Sequence, residues 1–298
     1  MKKNSRSFQL LDIFYIIMMI VPLLLGMVLQ VLTKPLSEGI TLTGARIFFT
    51  IPMPLQDFYV TESQINSLLV TITILFFCLY MTHGIHERVH LKRQHFAELI
   101  IEKADGLVLE NMGEYFQGYA PFIIAMLALS AVSSLSSLIG LFPPTSDINV
   151  VGGWAILVFI LITYYKMKCG PLYYLKSFTE PIALLAPINF LSEFATPVSM
   201  SFRHYGNILS GTVISTLIAV GLSGLSSLVL GWLPGFLGDI SWLRVGIPAV
   251  LSIYFDVFSG CLQAFIFAML TMMNVSGAFP IDEYEKRKLK KLAKKQTV

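Results

Sequence analysis

Long apolar runs separated by short charged clusters set the pattern of this chain. A helix needs about 20 apolar residues to cross the hydrocarbon layer. Six runs reach or approach that length: roughly Phe14 to Leu32, Gln64 to Thr82, Tyr119 to Phe142, Val151 to Tyr165, a fifth within Pro181 to Trp232, and Val245 to Ser276. The fourth is short. Inside lipid the backbone finds no water to bond, so each run is predicted to be helical. The two-residue alternation of a membrane barrel is absent. The expected fold is an all-α membrane protein with about six transmembrane helices, the last two long and paired as a hairpin. We read 1–298 as one membrane domain: an extra N-terminal span at about 10–33, a core at about 43–280 and a basic tail at 281–298.

Composition sharpens this picture. Hydrophobic residues make up 55% of the chain and charged residues only 13%, against about 25% charged in soluble domains. Cys78, Cys169 and Cys261 form no CxxC pair and read as apolar filler. Basic residues fall unevenly: 17 of 21 lie in the terminal segments and alternate loops that share one side of a six-span chain. The positive-inside rule then places both termini in the cytoplasm, with a bacterial plasma membrane as the expected location. The first span could instead be a secretory signal. Its apolar core exceeds the typical 7–15 residues and no A-x-A site follows, which favours a retained anchor. The tail after Pro280 carries seven basic and three acidic residues and is expected to be solvated or drawn to anionic headgroups of the bilayer.

Two charges sit where charges are costly. Arg203 is the only charged side chain between Val198 and Leu237, and Asp256 the only one between Val245 and Pro280. Each costs about 2.5–3.5 kcal/mol at mid-membrane on insertion scales, so such residues normally mark ion pathways. A structural Arg–Asp pair joining two helices is the bland alternative. Helical spacing sets Arg203, Asn207, Ser210 and Gly211 on one face, and Asp256 with Gln263 on another. Small residues at Ser199, Gly206, Ser210 and Gly211 permit close helix approach. That much added polarity suits a hydrated half-channel better than a lone ion pair.

These residues carry a resemblance. PINFLSEFATPVSMSFRHYGNILSG, Pro187 to Gly211, is similar to the signature of ATP synthase subunit a, with Glu193, Pro197, Ser199, Arg203, Gly206, Asn207, Ser210 and Gly211 at the matching places. LQAFIFAMLT (Leu262 to Thr271) resembles the family's final helix, with its glutamine at Gln263. GLFPPTSDINVV, ENMGE and KSFTEP resemble further segments in the same order. His204 departs from the pattern, where an apolar residue is usual, and Asp256 stands where many relatives carry another titratable group.

The resemblance implies a stator beside a ring of c subunits, with the b subunit and the remaining ATP synthase subunits as partners. The ring's mid-membrane carboxyls take protons from one half-channel and release them to another. Arg203 is then expected to divide the half-channels and Asp256 to relay protons on the outer side. Asn207 and Gln263 would orient water or Arg203, with Glu193 and Asp147 as candidate inner and outer mouths. The sequence leaves H⁺ versus Na⁺ open. No G-x-x-x-x-G-K-[ST] loop is present, so the subunit is expected to be non-catalytic, without cofactor, metal or nucleic acid. The runner-up reading comes from His86, Glu87 and His90, which spell the H-E-x-x-H of zinc proteases. Arg88 inside that motif and the lack of a convincing third-ligand motif weigh against it.

Overall fold

The structure, a computed structural model, describes residues 2–33, 44–54, 56–85, 92–179, 182–230, 246–247, 250–251 and 253–296. Six of its helices are long and apolar enough to cross a membrane. The first is α1 (Lys2–Thr33). A short antiparallel hairpin follows, β1 (Ile47–Ile51) with β2 (Phe58–Thr61), in the register Ile51 opposite Phe58. The apolar runs did not predict it. α2 (Glu62–Thr82) starts at a capping box in which the Gln64 side chain accepts from the Thr61 N–H at 3.3 Å.

α3 (Lys92–Met112) leads through a 3₁₀ turn, Glu114–Tyr119, into α4 (Ala120–Leu135). α4 winds tighter into a second 3₁₀ turn, Ser136–Ile139, and stops at Gly140, whose φ of 80° suits a residue without Cβ. α5 (Ile148–Met167) is capped by Asp147, and so begins three residues before the expected Val151. After α6 (Pro171–Phe178) comes α7 (Ala186–Leu230), 45 residues long. A π-helical turn, Ile253–Ser259, runs into α8 (Gly260–Gly277), and the basic tail forms its own helix, α9 (Ile281–Gln296).

The spans alternate in direction. One end of the bundle carries the β-hairpin; the other carries α9 and the start of α1. We call these the hairpin end and the basic end. Lipid tails supply no hydrophobic drive between helices, so close packing must hold them together. The core does this with Ile123 and Met126 of α4, Val158 and Ile162 of α5, Met200 of α7, and Phe267, Met272 and Val275 of α8. A Cβ placed on Gly260 would stand 2.8 Å from the Ser134 Cβ, so α8 can approach α4 this closely only with glycine there.

α1 packs along α2 and is fastened near the basic end. Asp12 accepts from Arg93 at 2.7 Å and lies 2.9 Å from His83 Nδ1, while Phe8 stacks on the His83 ring. At the same end, Lys168 Nζ sits among five rings, those of Tyr115, Tyr164, Tyr165, Phe279 and Tyr284, at 4.8–5.8 Å from their centroids. Burial alone would lower the Lys168 pKa. The Tyr115 hydroxyl and the surrounding phenols outweigh it and hold the ammonium above its ordinary value. Arg287 of α9 donates to the Cys169 carbonyl.

Candidate functional site

α7 positions most of the candidate residues, and its two faces differ. Glu193, Pro197, Met200, His204 and Gly211 lie on the side buried by the rest of the chain. Gly211 packs on Phe255, whose Cδ1 would be 2.9 Å from an added Cβ. The opposite side is uncovered. It carries Val198, Ser199, Phe202, Arg203, Leu209 and Ser210, all exposed. Gly206 joins that side, half-exposed and with open space beyond it.

Arg203 therefore points away from its own bundle, in the middle of a membrane-spanning helix. Among the described residues it makes no hydrogen bond or ion pair. Asp256 is not its partner: the carboxyl is half-buried beside the Ser137 hydroxyl, and no arginine among the described residues acts on it. The structural Arg–Asp pair weighed from the sequence is absent from the described residues.

The shared face expected for Arg203, Asn207, Ser210 and Gly211 splits. Asn207 turns to the last span, donating from Nδ2 to Ser259 Oγ at 2.7 Å. Gly211 also faces that span, so its small size serves packing within the chain. Asp256 lies inside the π-helical turn, which has more residues per turn than an α-helix and so shifts its angular offset from Gln263. Gln263 is buried in α8. Single π turns concentrate at functional sites.

The two candidate mouths fall at opposite ends. Glu193, at the basic end, is buried; Lys166 Nζ lies 3.2 Å from its Oε1 and the Tyr174 hydroxyl donates to the same oxygen at 3.1 Å. Its Oε2 is buried without a partner. Tyr174 is itself pushed to a higher pKa, first by burial and then by this carboxylate. Asp147, at the hairpin end, caps α5 by accepting the Asn149 N–H at 2.9 Å and also accepts from the Ser63 hydroxyl.

Two residues deserve weight that the sequence did not give them. Glu62 is an acid 3% exposed, with Arg46 Nε 3.9 Å away, next to Ser63 and hence to Asp147. Its signal was an acid opening an apolar run, which also describes an ordinary helix start. His204 is wholly buried between Trp154 and Phe267, with Nε2 3.4 Å from Ser130 Oγ. Ser130 belongs to a buried row with Ser133 and Ser134 of α4 and Ser136 of the 3₁₀ turn that follows, and Ser134 lies 3.3 Å from the Thr145 hydroxyl. His86, Glu87 and His90 lie outside the described residues.

Fold and site together define a multi-pass helical membrane protein with an arginine on an open face of one span, unpaired among the described residues. The sequence pattern of the ATP synthase A chain family matches residues 65–276, and the chain belongs to that family. It is a membrane-sector subunit of an ATP synthase. Similar proteins include the sodium-ion-specific ATP synthase subunit a of Propionigenium modestum, 30% identical over 85% of this chain and 89% of the relative. The ATP synthase subunit a of Priestia megaterium is 32% identical over 72% of this chain and 92% of its own length. That of Desulforamulus reducens is 32% identical over 68% and 73%. The zinc-protease reading finds no support in these relationships.

Proposed function

We propose that this chain is the proton-translocating stator of a rotary ATP synthase, with the exposed face of α7 set against the c-subunit ring. The observation that carries the reading is the uncovered Arg203 between small residues. An arginine facing lipid would be expensive; one facing the carboxylates of a neighbouring ring is compensated. Ser199, Gly206 and Ser210 keep the helix surface low enough for a second helix to come close.

The chemistry follows from the guanidinium. It stays protonated at any working pH, so it attracts an ionised ring carboxylate and never hands over a proton. A proton arriving from the outer side neutralises that carboxylate, which then leaves Arg203 and enters lipid without carrying charge. Each proton brings about 2.3 kcal/mol per 100 mV. Asp256 relays protons on the outer side and Asn207 and Gln263 steady that region; Asp147 marks the outer mouth. Glu193, buried beside Lys166, belongs to the inner exit. In this reading both termini are cytoplasmic, the membrane is a bacterial plasma membrane, α1 is retained, the b subunit braces the assembly, and nucleotide chemistry takes place on other subunits.

Arg203→Ala is expected to abolish ATP-driven proton pumping by the assembled complex in inverted vesicles. Arg203→Lys should also fail, because a buried lysine can lose its proton. Normal coupled pumping by the alanine variant would overturn the divider role.

A further inference from the structure

We propose that the outer pathway of this subunit has a terminal proton relay at His204, reached through the serine row of α4. The inference rests on the reading of the chain as a proton-translocating stator and adds a residue to it.

Three observations meet here. The imidazole is 0% exposed, deep inside the bundle, where an aliphatic side chain would pack without polar cost. Its Nε2 faces the Ser130 hydroxyl at 3.4 Å, while Nδ1 is buried with no partner. Ser133 Oγ, on the same row, is also buried and unpartnered. An unsatisfied buried polar atom costs about 1–3 kcal/mol; two of them on one polar seam suit a file of water. The row continues towards the hairpin end through Ser134 to Thr145, two residues from Asp147.

The relay balances as follows. Ser130 donates its hydroxyl proton to Nε2 and regains one from the water or hydroxyl behind it. Nδ1 gives up its own proton to a water beside it inside the bundle, which passes it on towards the c-subunit ring. One proton has moved inward, the imidazole is neutral again in its other tautomer, and a flip of the imidazole resets it. Ser130 of α4, Trp154 of α5 and Phe267 of α8 face the imidazole without charge, and no charged side chain among the described residues acts on it. Arg203, its neighbour in sequence, projects outward. Sodium cannot pass through an imidazole, so this route carries protons only.

The test is passive ion flow through the assembled membrane sector in liposomes under a potassium diffusion potential. Proton flux is read with a pH dye and sodium flux with ²²Na⁺. Wild type should conduct H⁺ at a rate independent of Na⁺. His204→Leu should lower H⁺ flux at least about tenfold, as for a lost acid–base group, and His204→Gln, which keeps a polar side chain but exchanges no proton, should lower it as much. Ser130→Ala, a smaller change that keeps the fold, should lower flux several-fold. Unchanged flux in His204→Leu or His204→Gln overturns the relay; so does unchanged flux in Ser130→Ala if the histidine variants fail to assemble. Sodium conduction by wild type equal to its proton conduction would also overturn it. A normal His204→Leu together with a dead Arg203→Ala sinks the relay alone, whereas a normally pumping Arg203→Ala sinks the stator reading itself.

Discussion

His204 and Arg203 are adjacent on α7 and lead opposite lives. His204 turns into the chain, where helices from three sides close over it. Arg203 turns out, with the described residues leaving it unpaired. The difference teaches how to read polarity inside a membrane protein. A polar group on the inner face must find its hydrogen bonds within the fold or from water. One on the outer face has a cost that the fold does not offset, and so points to a partner. The two faces can be broken separately.

The largest contrast should come from bulk. Gly206→Leu adds a side chain where the chain itself leaves open space, so the protein should fold while the outer face is blocked. Overpacking costs about 1–3 kcal/mol, and ATP-driven pumping should fall about ten- to hundredfold with the subunit still present in the membrane. Met200→Leu, a volume-conserving change on the buried face, should leave pumping within about twofold, since such swaps are mild. Equal losses in both would mean that the outer face has no special duty.

Next in size is Asp256→Asn, which removes a carboxyl with a single described hydroxyl partner. Proton flux should drop about tenfold or more, as for a lost acid–base group, and Asp256→Glu should restore most of it. A smaller loss, a few-fold, is expected for Glu193→Gln, because Lys166 and Tyr174 remain to hold the side chain; stopped-flow proton release from loaded vesicles measures it.

The smallest effect lies away from α7. Lys168→Met removes cation–π contacts worth about 0.5–2 kcal/mol together and should lower the melting temperature of the purified complex by a few degrees without altering coupling. The pH dependence has a definite sign. The folded-state pKa of Lys168 is raised, so its contribution is full at neutral pH and fades only as pH climbs through that raised value.

Much of the scaffold was legible because hydropathy reports what lipid demands. The runs at Gln64 to Thr82 and Val245 to Ser276 correspond to α2 and to the span ending in α8. The fourth run looked short because Asp147 and Asn149 are polar, yet they are the cap that starts α5. What stayed hidden depends on hydrogen-bond register and on neighbours. No residue pattern announced the π turn around Asp256. Asn207 and Gly211 sit a fraction of a turn from Arg203, too little for a helical wheel to say which of them the last span would claim. His204 stood out as a departure from the family pattern, but only its surroundings give it work. The basic tail was read as charge alone; Tyr284 and Arg287 fold it back as a docked helix.

The ring-lined pocket around Lys168 has a mechanical consequence. A stator that pushes on a turning neighbour is pushed back with equal torque, and a loosely joined bundle would shear under that load. Tyr115 ahead of α4, Tyr164 and Tyr165 of α5, Phe279 past the end of α8 and Tyr284 of α9 are gathered around one ammonium. Four chain segments are thus riveted at a single point, and α7 is tied to the same segment by Lys166 and Glu193. Twist applied to the open face of α7 is spread into that stiff hub instead of peeling one helix from the rest.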